Sequence, residues 1–379
     1  MPKRFEHPGV FIEEVYGRVN EIAGVATSIA TFVGRAAKGP MGKAVLCLSY
    51  ADFVEKFGGA HPQSELADSV RLFFENGGSV CYVVRVSLNA FRSKASLTDQ
   101  GLNALEKVDI FNLMVLPRDS GITEPRHRSL LAAAGKYCQK RSAFLLIDAP
   151  ESWKSGVTPD AIDDFCAGMV KNSSAVFYPR IVVNDAGVSK TTGASGAVAG
   201  LIARTDSCNG IWKFPAGSDA KLRGAKDIER NLTAGEIDRL NKLGINCLRR
   251  LPDMIVNWGA RTLDGAEGSI SEWKYVNVRR MFTYFDRSID RGTQWAVFEH
   301  NDELLWVKLR SSIELFLTHL WRRGALQGRT PKEAFYVRCG LGDTMTQNDL
   351  DAGRLIIQVG IAPLKPAEFI DLRFYHKSS

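Results

Sequence analysis

Apolar positions along this chain follow two periods, and the changes of period mark its elements. Residues 49–57 set Phe53, Val54 and Phe57 between Ser49 and Gly58-Gly59, which predicts a helix with a capping residue in front and a stop behind. Residues 64–75 predict a second helix, with Leu66, Val70, Phe73 and Phe74 on one side and Asn76-Gly77-Gly78 at its end. Val80 to Val86 is then a nearly unbroken apolar run, the pattern of a buried strand. From 97 to 210 the chain repeats helix then strand three times: 98–107 and 110–116, 128–139 and 143–147, 159–169 and 175–183. That alternation predicts an α/β layer with a mainly parallel sheet.

Residues 211–275 are rich in turn signals around two short hydrophobic segments at 245–251 and 254–258. Helices are expected over 276–289 and 303–323, the second placing Leu305, Leu309, Ile313, Phe316, Leu317 and Leu320 near a 3.6-residue period. Strands are expected over 334–339, 355–360 and 367–375, the last anchored by Phe369, Leu372 and Phe374. At the other end Pro8-Gly9 resists helix, and Val10, Ile12, Val15 and Tyr16 beside Glu13 and Glu14 make an imperfect strand pattern. Such an arm has too few apolar groups for a core of its own. It must lie on a sheet edge, in its own domain or in a neighbouring subunit. Periodicity therefore gives an α/β portion followed by an α+β portion.

Composition leaves this picture unchanged: 45% hydrophobic and 24% charged residues are ordinary for a globular protein, and 379 residues suit two cores or one core with an insertion. The charge of +7, from 49 Lys and Arg against 42 Asp and Glu, is too small and dispersed to imply nucleic acid. No stretch reaches the length of a bilayer span and Met1-Pro-Lys-Arg lacks an apolar signal core, so synthesis and folding in the cytoplasm and no membrane insertion are expected. Seven cysteines without a close pair argue against a disulfide scaffold or a zinc knuckle.

Catalytic signals are weak. Gly193-Ala194-Ser195-Gly196-Ala197-Val198-Ala199-Gly200 lacks the P-loop lysine, the dinucleotide spacing and the Gly-x-Ser-x-Gly elbow, and reads as close packing at a helix start. The six histidines form no zinc motif, and Glu299-His300-Asn301-Asp302-Glu303 sits where a long helix needs its cap. No catalytic, cofactor-binding or metal-binding residue is assigned. Trp273-Lys274-Tyr275 and Arg279-Arg280-Met281-Phe282 combine aromatic area with directional charge, which suits a protein interface first and packing within the chain second.

An ordered set of segments along nearly the whole chain resembles the contractile tail sheath proteins of phages and of related injection systems. It runs from Pro8-Gly9-Val10-Phe11-Ile12-Glu13-Glu14 through Phe73-Phe74-Glu75-Asn76-Gly77-Gly78 and Arg204-Thr205-Asp206. It continues with Trp258-Gly259-Ala260-Arg261-Thr262-Leu263, Phe298-Glu299-His300-Asn301-Asp302 and Ala362-Pro363-Leu364-Lys365-Pro366. His300 departs from the family, where many relatives have Pro. The resemblance implies a compact two-domain sheath fold, α/β and α+β, with a peripheral or inserted α/β middle domain and extended terminal arms. It divides the chain into a linking arm at 1–22, an N-terminal portion at 23–96, a peripheral α/β domain at 97–240, an inner domain at 241–365 and a C-terminal arm at 366–379. It implies a structural role in stacked six-subunit rings around an inner tube, with baseplate and terminal cap proteins as further partners and no cofactor. The particle is a phage tail or an extracellular injection particle; the residues do not choose between them. Interface residues are expected at Val10, Ile12, Glu13, Arg261, Arg279, Arg280, Glu299, Phe369, Leu372 and Phe374, with structural or interface salt bridges at Arg261 and Glu299.

Overall fold

The computed structural model describes residues 20–185 and 187–365. The chain divides into two compact units at 23/24, 287/288 and 362/363. In the unit built on residues 24–287, the strands are β1 (Ala30–Gly34), β2 (Ala44–Cys47), β3 (Cys81–Arg85), β4 (Leu113–Val115), β5 (Phe144–Asp148), β6 (Ser174–Tyr178), β7 (Ile181–Asp185), β8 (Val188–Thr192), β9 (Ala225–Ile228), β10 (Ile245–Leu251) and β11 (Met254–Asn257). Its helices are α1 (Tyr50–Phe57), α2 (Leu66–Glu75), α3 (Lys94–Gln100), α4 (Glu124–Lys140), α5 (Pro159–Cys166), α6 (Ser195–Asn209), α7 (Ala234–Lys242) and the first part of α8 (Val276–Thr293). Eight strands make one sheet in the order β11-β10-β6-β5-β4-β1-β3-β2, parallel except for the two edges. β8-β7-β9 form a small antiparallel sheet.

Alternation along the strands sorts the core into two layers. Phe32, Leu113, Val115, Leu146 and Phe177 pack with α1, α2 and α6. Val33, Met114, Leu145, Ile147 and Val176 point the other way, to α3, α4, α5 and α7. The unit is therefore an α/β/α sandwich, the layering that parallel crossovers impose. Ser49 caps α1 by accepting from the Asp52 amide at 3.0 Å, and Gly58 ends it at φ +80°.

The second unit contains the end of α8, then α9 (Glu303–Arg322), α10 (Pro331–Ala334), β12 (Phe335–Arg338), α11 (Gln347–Asp351) and β13 (Gln358–Ile361). α9 buries Leu305, Leu309, Ile313, Phe316, Leu317 and Leu320 on one face, and β12 and β13 pair antiparallel.

The structure corrects several expectations. The helix expected over 98–107 is α3 plus a 3₁₀ turn at Leu102–Lys107, divided at Gly101. The strand expected over 175–183 is β6 and β7, divided by Pro179, which brings no N–H to a ladder. The turn-rich region 211–275 also holds β9 and α7. β1–β3, β4–β6 and β10 share one sheet, so that sheet draws its strands from both sides of 96/97 and of 240/241. The expected arms at 1–22 and 366–379 and the strand over 367–375 lie outside the described residues, apart from 20–22.

Candidate functional site

An enzyme built on this sheet would use the crevice beyond the carboxyl ends of its parallel strands. β1 has β3 on one side and β4 on the other, so the switch point lies between β1 and β4. That position is filled by the chain itself. Arg35, directly after β1, donates to both carboxylate oxygens of Asp119 at 2.6 and 2.5 Å and to Gln63 at 3.1 Å.

Beyond β5 and β6 the same closure continues. Arg180 pairs with Glu65, whose carboxylate also accepts from the Thr192 hydroxyl at 3.1 Å and the Gly193 amide at 2.9 Å. Asp148 accepts from the Ser195 amide at 2.7 Å and its hydroxyl at 2.8 Å, so Ser195 is engaged and buried. Burial pushes the Glu65 and Asp148 carboxyls up, and the Arg180 charge pulls both back. Burial drives the His127 imidazole down to about 4, with the Arg118 charge acting in the same direction. The ring is therefore neutral near pH 7, with Nε2 at 3.1 Å from the Leu116 carbonyl oxygen. The cavity between these groups is about 10 Å³, room for roughly one water. This constellation is an internal clamp joining α2, α4, α6, β5 and the β6–β7 turn.

The glycine-rich segment is a helix contact. A Cβ on Gly196 would lie 2.3 Å from the Ser69 carbonyl oxygen, and one on Gly200 2.2 Å from that of Phe73. α6 thus meets α2 backbone to backbone, which only glycine permits. Among the described residues no group of three or more His, Cys, Asp or Glu could hold a metal ion, and no helix is long and apolar enough to cross a membrane.

The expected interface residues separate by burial. Arg280 is interior: it donates to Asp206 at 3.1 and 2.6 Å and to the Thr27 carbonyl at 2.8 Å, with both side chains 4% exposed. Arg261 is buried as well and donates to the Asn241 and Gly265 carbonyls at 2.9 and 3.3 Å. Both guanidinium groups thus have hydrogen-bond partners within the chain. Arg279 is half-buried and stacks on Trp273 at 4.9 Å, which meets Phe282 edge-on. Burial lowers the Arg279 pKa, opposed by Asp286. Glu299 is exposed. Val10, Ile12, Glu13, Phe369, Leu372 and Phe374 lie outside the described residues. The sequence reading missed the Glu65–Arg180 pair and the Arg35–Asp119 pair, whose members are 115 and 84 residues apart and leave no local signal.

Sheet edges differ in availability. Beside β2, Lys56 donates to the Leu46 carbonyl at 2.8 Å and Asp52 accepts from the Leu48 amide at 2.9 Å, so α1 occupies that edge. β12 and β13 pair only with each other among the described residues, leaving an outer edge on each.

Two family models match the chain: the phage tail sheath protein central domain over residues 93–263 and the phage tail sheath C-terminal domain over 269–377. The tail sheath protein of Vibrio phage KVP40 is 27% identical over 188 residues, 49% of this chain and 26% of that protein. The chain thus matches about a quarter of the length of that curated relative. The helical sheath of the anti-feeding prophage in its contracted state is 31% identical, with a TM-score of 0.81 over 99% of this chain and 100% of that one. The contracted sheath complex of PVC, an extracellular contractile injection system, is 29% identical, with a TM-score of 0.80 over 99% of each chain.

Proposed function

Since the chain belongs to the contractile tail sheath protein family and is a structural subunit of that class, we propose that it forms stacked hexameric rings around an inner tube and that shortening of the stack drives the tube through a target envelope. The observation that carries this reading is the likeness over 99% of the chain to a helical sheath caught in its contracted state. Full-length likeness to anti-feeding prophage and PVC sheaths, against partial matches to phage sheaths, favours an extracellular particle assembled in a bacterial cytoplasm. Inner-tube, baseplate and terminal cap proteins are the partners this assembly requires. Catalysis and cofactors have no part in it, because strain stored as subunits assemble on the tube can drive the change.

The mechanical link is assigned to the arms. Val10, Ile12 and Glu13 at one end, and Phe369, Leu372 and Phe374 at the other, add strands to a neighbour's sheet. The outer edges of β12 and β13, which pair only with each other among the described residues, are acceptors of that kind. Backbone bonds of that kind survive while side contacts are exchanged, so the lattice stays connected through contraction. Arg279 with Trp273, and Glu299, belong to the exchangeable contacts; Arg261 and Arg280 hold the subunit rigid. Deleting residues 1–18 should leave the subunit folded by circular dichroism and abolish ordered tubes in electron micrographs. Tubes of normal length and contractility from the truncated chain would refute the arm assignment.

A further inference from the structure

The turn between α8 and α9 displays an aromatic side chain to water. Phe298 is fully exposed and holds φ at +72°, a left-handed conformation that is rare for a bulky residue. Val297 beside it and Leu304 in the first turn of α9 are each 62% exposed. Glu299 and Glu303 flank this tip, are exposed, and have no ion-pair partner among the described residues. The result is an apolar knob with an acidic rim.

A hollow of the opposite character lies on the surface shared by α3, the following 3₁₀ turn and α4. Its volume is about 390 Å³, and Leu102, Ala132, Ala133 and Tyr137 form its apolar wall. Lys94 and Lys136 stand exposed on its rim without a carboxylate partner among the described residues, whereas Lys140 is already paired with Glu106 at 3.2 Å. We propose that the Phe298 knob of one subunit enters the lysine-rimmed hollow of a second copy, with Glu299 and Glu303 facing Lys94 and Lys136.

Charge complementarity selects a second copy as the occupant: two unpaired acids ring the apolar projection and two unpaired lysines ring the apolar recess. Exposed apolar area is best retained on a monomer where it becomes covered. Because knob and hollow are different surfaces of one chain, the contact is heterologous and propagates as a ring or an open helix instead of closing as a dimer. The inference rests on the sheath reading and specifies one of its side contacts, separate from the arms.

Cross-linking tests it directly. Two differently tagged full-length chains, both carrying Cys208→Ser to remove the exposed thiol, receive Phe298→Cys and Ala133→Cys respectively. They are coexpressed and treated with a short bis-maleimide. A product joining the two tags is expected, and its absence overturns the contact. Electron microscopy of the wild-type chain reports separately on the sheath reading, which stands if tubes form even when the cross-link fails. In otherwise unmodified chains, Glu299→Lys should raise the concentration needed for assembly at least about tenfold, since like charges then face each other. Adding Lys136→Glu should restore it. Assembly by Glu299→Lys at the wild-type concentration, or no recovery in the double variant, also overturns the proposal.

Discussion

His127 and Arg280 show how differently a buried polar side chain can be accommodated. His127 is held neutral by burial, with its folded pKa near 4 below the ordinary 6.5. The sign follows: its contribution is complete above pH 6.5 and is lost as pH falls toward 4, because the unfolded chain then takes up the proton more readily. Over that window it removes about 3 kcal/mol of stability. Glu65 and Asp148 act in the opposite sense, since raised carboxyl pKa values favour the folded state at low pH and lose that effect as pH rises through them. Comparing His127→Gln with wild type in urea titrations from pH 7 to 4 isolates the histidine: the variant should lack this acid loss, and parallel pH curves would disprove it. Arg280 is accommodated by an ion pair with Asp206 beside it. Arg280→Ala strands that carboxylate in the interior and should cost about 3–5 kcal/mol in chemical denaturation; a loss below about 1 kcal/mol would remove the interior ion-pair role of Arg280. Neither role was legible in the sequence. Arg280 and Asp206 are 74 residues apart, and the chain can be read for charge but not for which charges meet.

At the scale of elements, hydrophobic period carried most of the reading. α1, α2, α4, α8 and α9 fall where periodicity put them, because each has a broad apolar stripe or a clear cap. Among the elements missed are several with little to bury: β2 and β9 each have one buried residue of four, β8 has one of five, and α7 buries only Ile237 and Leu240. The Thr233–Glu236 capping box was the signal that could have found α7. The glycine-rich segment reads as close packing, and the α2–α6 contact supplies the reason. Gly200→Ala would stabilise a solvated helix by roughly 1 kcal/mol. Here the new Cβ meets the Phe73 carbonyl, a backbone atom that cannot swing aside. Net destabilisation of about 1–3 kcal/mol is therefore expected in urea unfolding, and a stabilised variant would contradict the packing account.

For the whole molecule, the layered α/β core could be anticipated from the alternation of helices and strands, and the family from short segments spread along the chain. The strand order could not, because strands from three sequence regions complete one sheet and no local feature announces their pairing. The interface was least legible. An interior residue declares itself by hydrophobic period, whereas an assembly contact looks like an ordinary exposed or half-exposed side chain until the partner is in place. Arg261 and Arg280 are arginines suited by type to an interface, and in the single chain both side chains are buried and hydrogen-bonded. The central claim, that this chain is a contractile sheath subunit, is tested most directly by electron microscopy of the full-length protein, alone and coexpressed with its neighbouring inner-tube protein. Regular tubes with sixfold symmetry, present in a narrow and a wide form, are predicted; finite particles without a helical repeat under both conditions would contradict it.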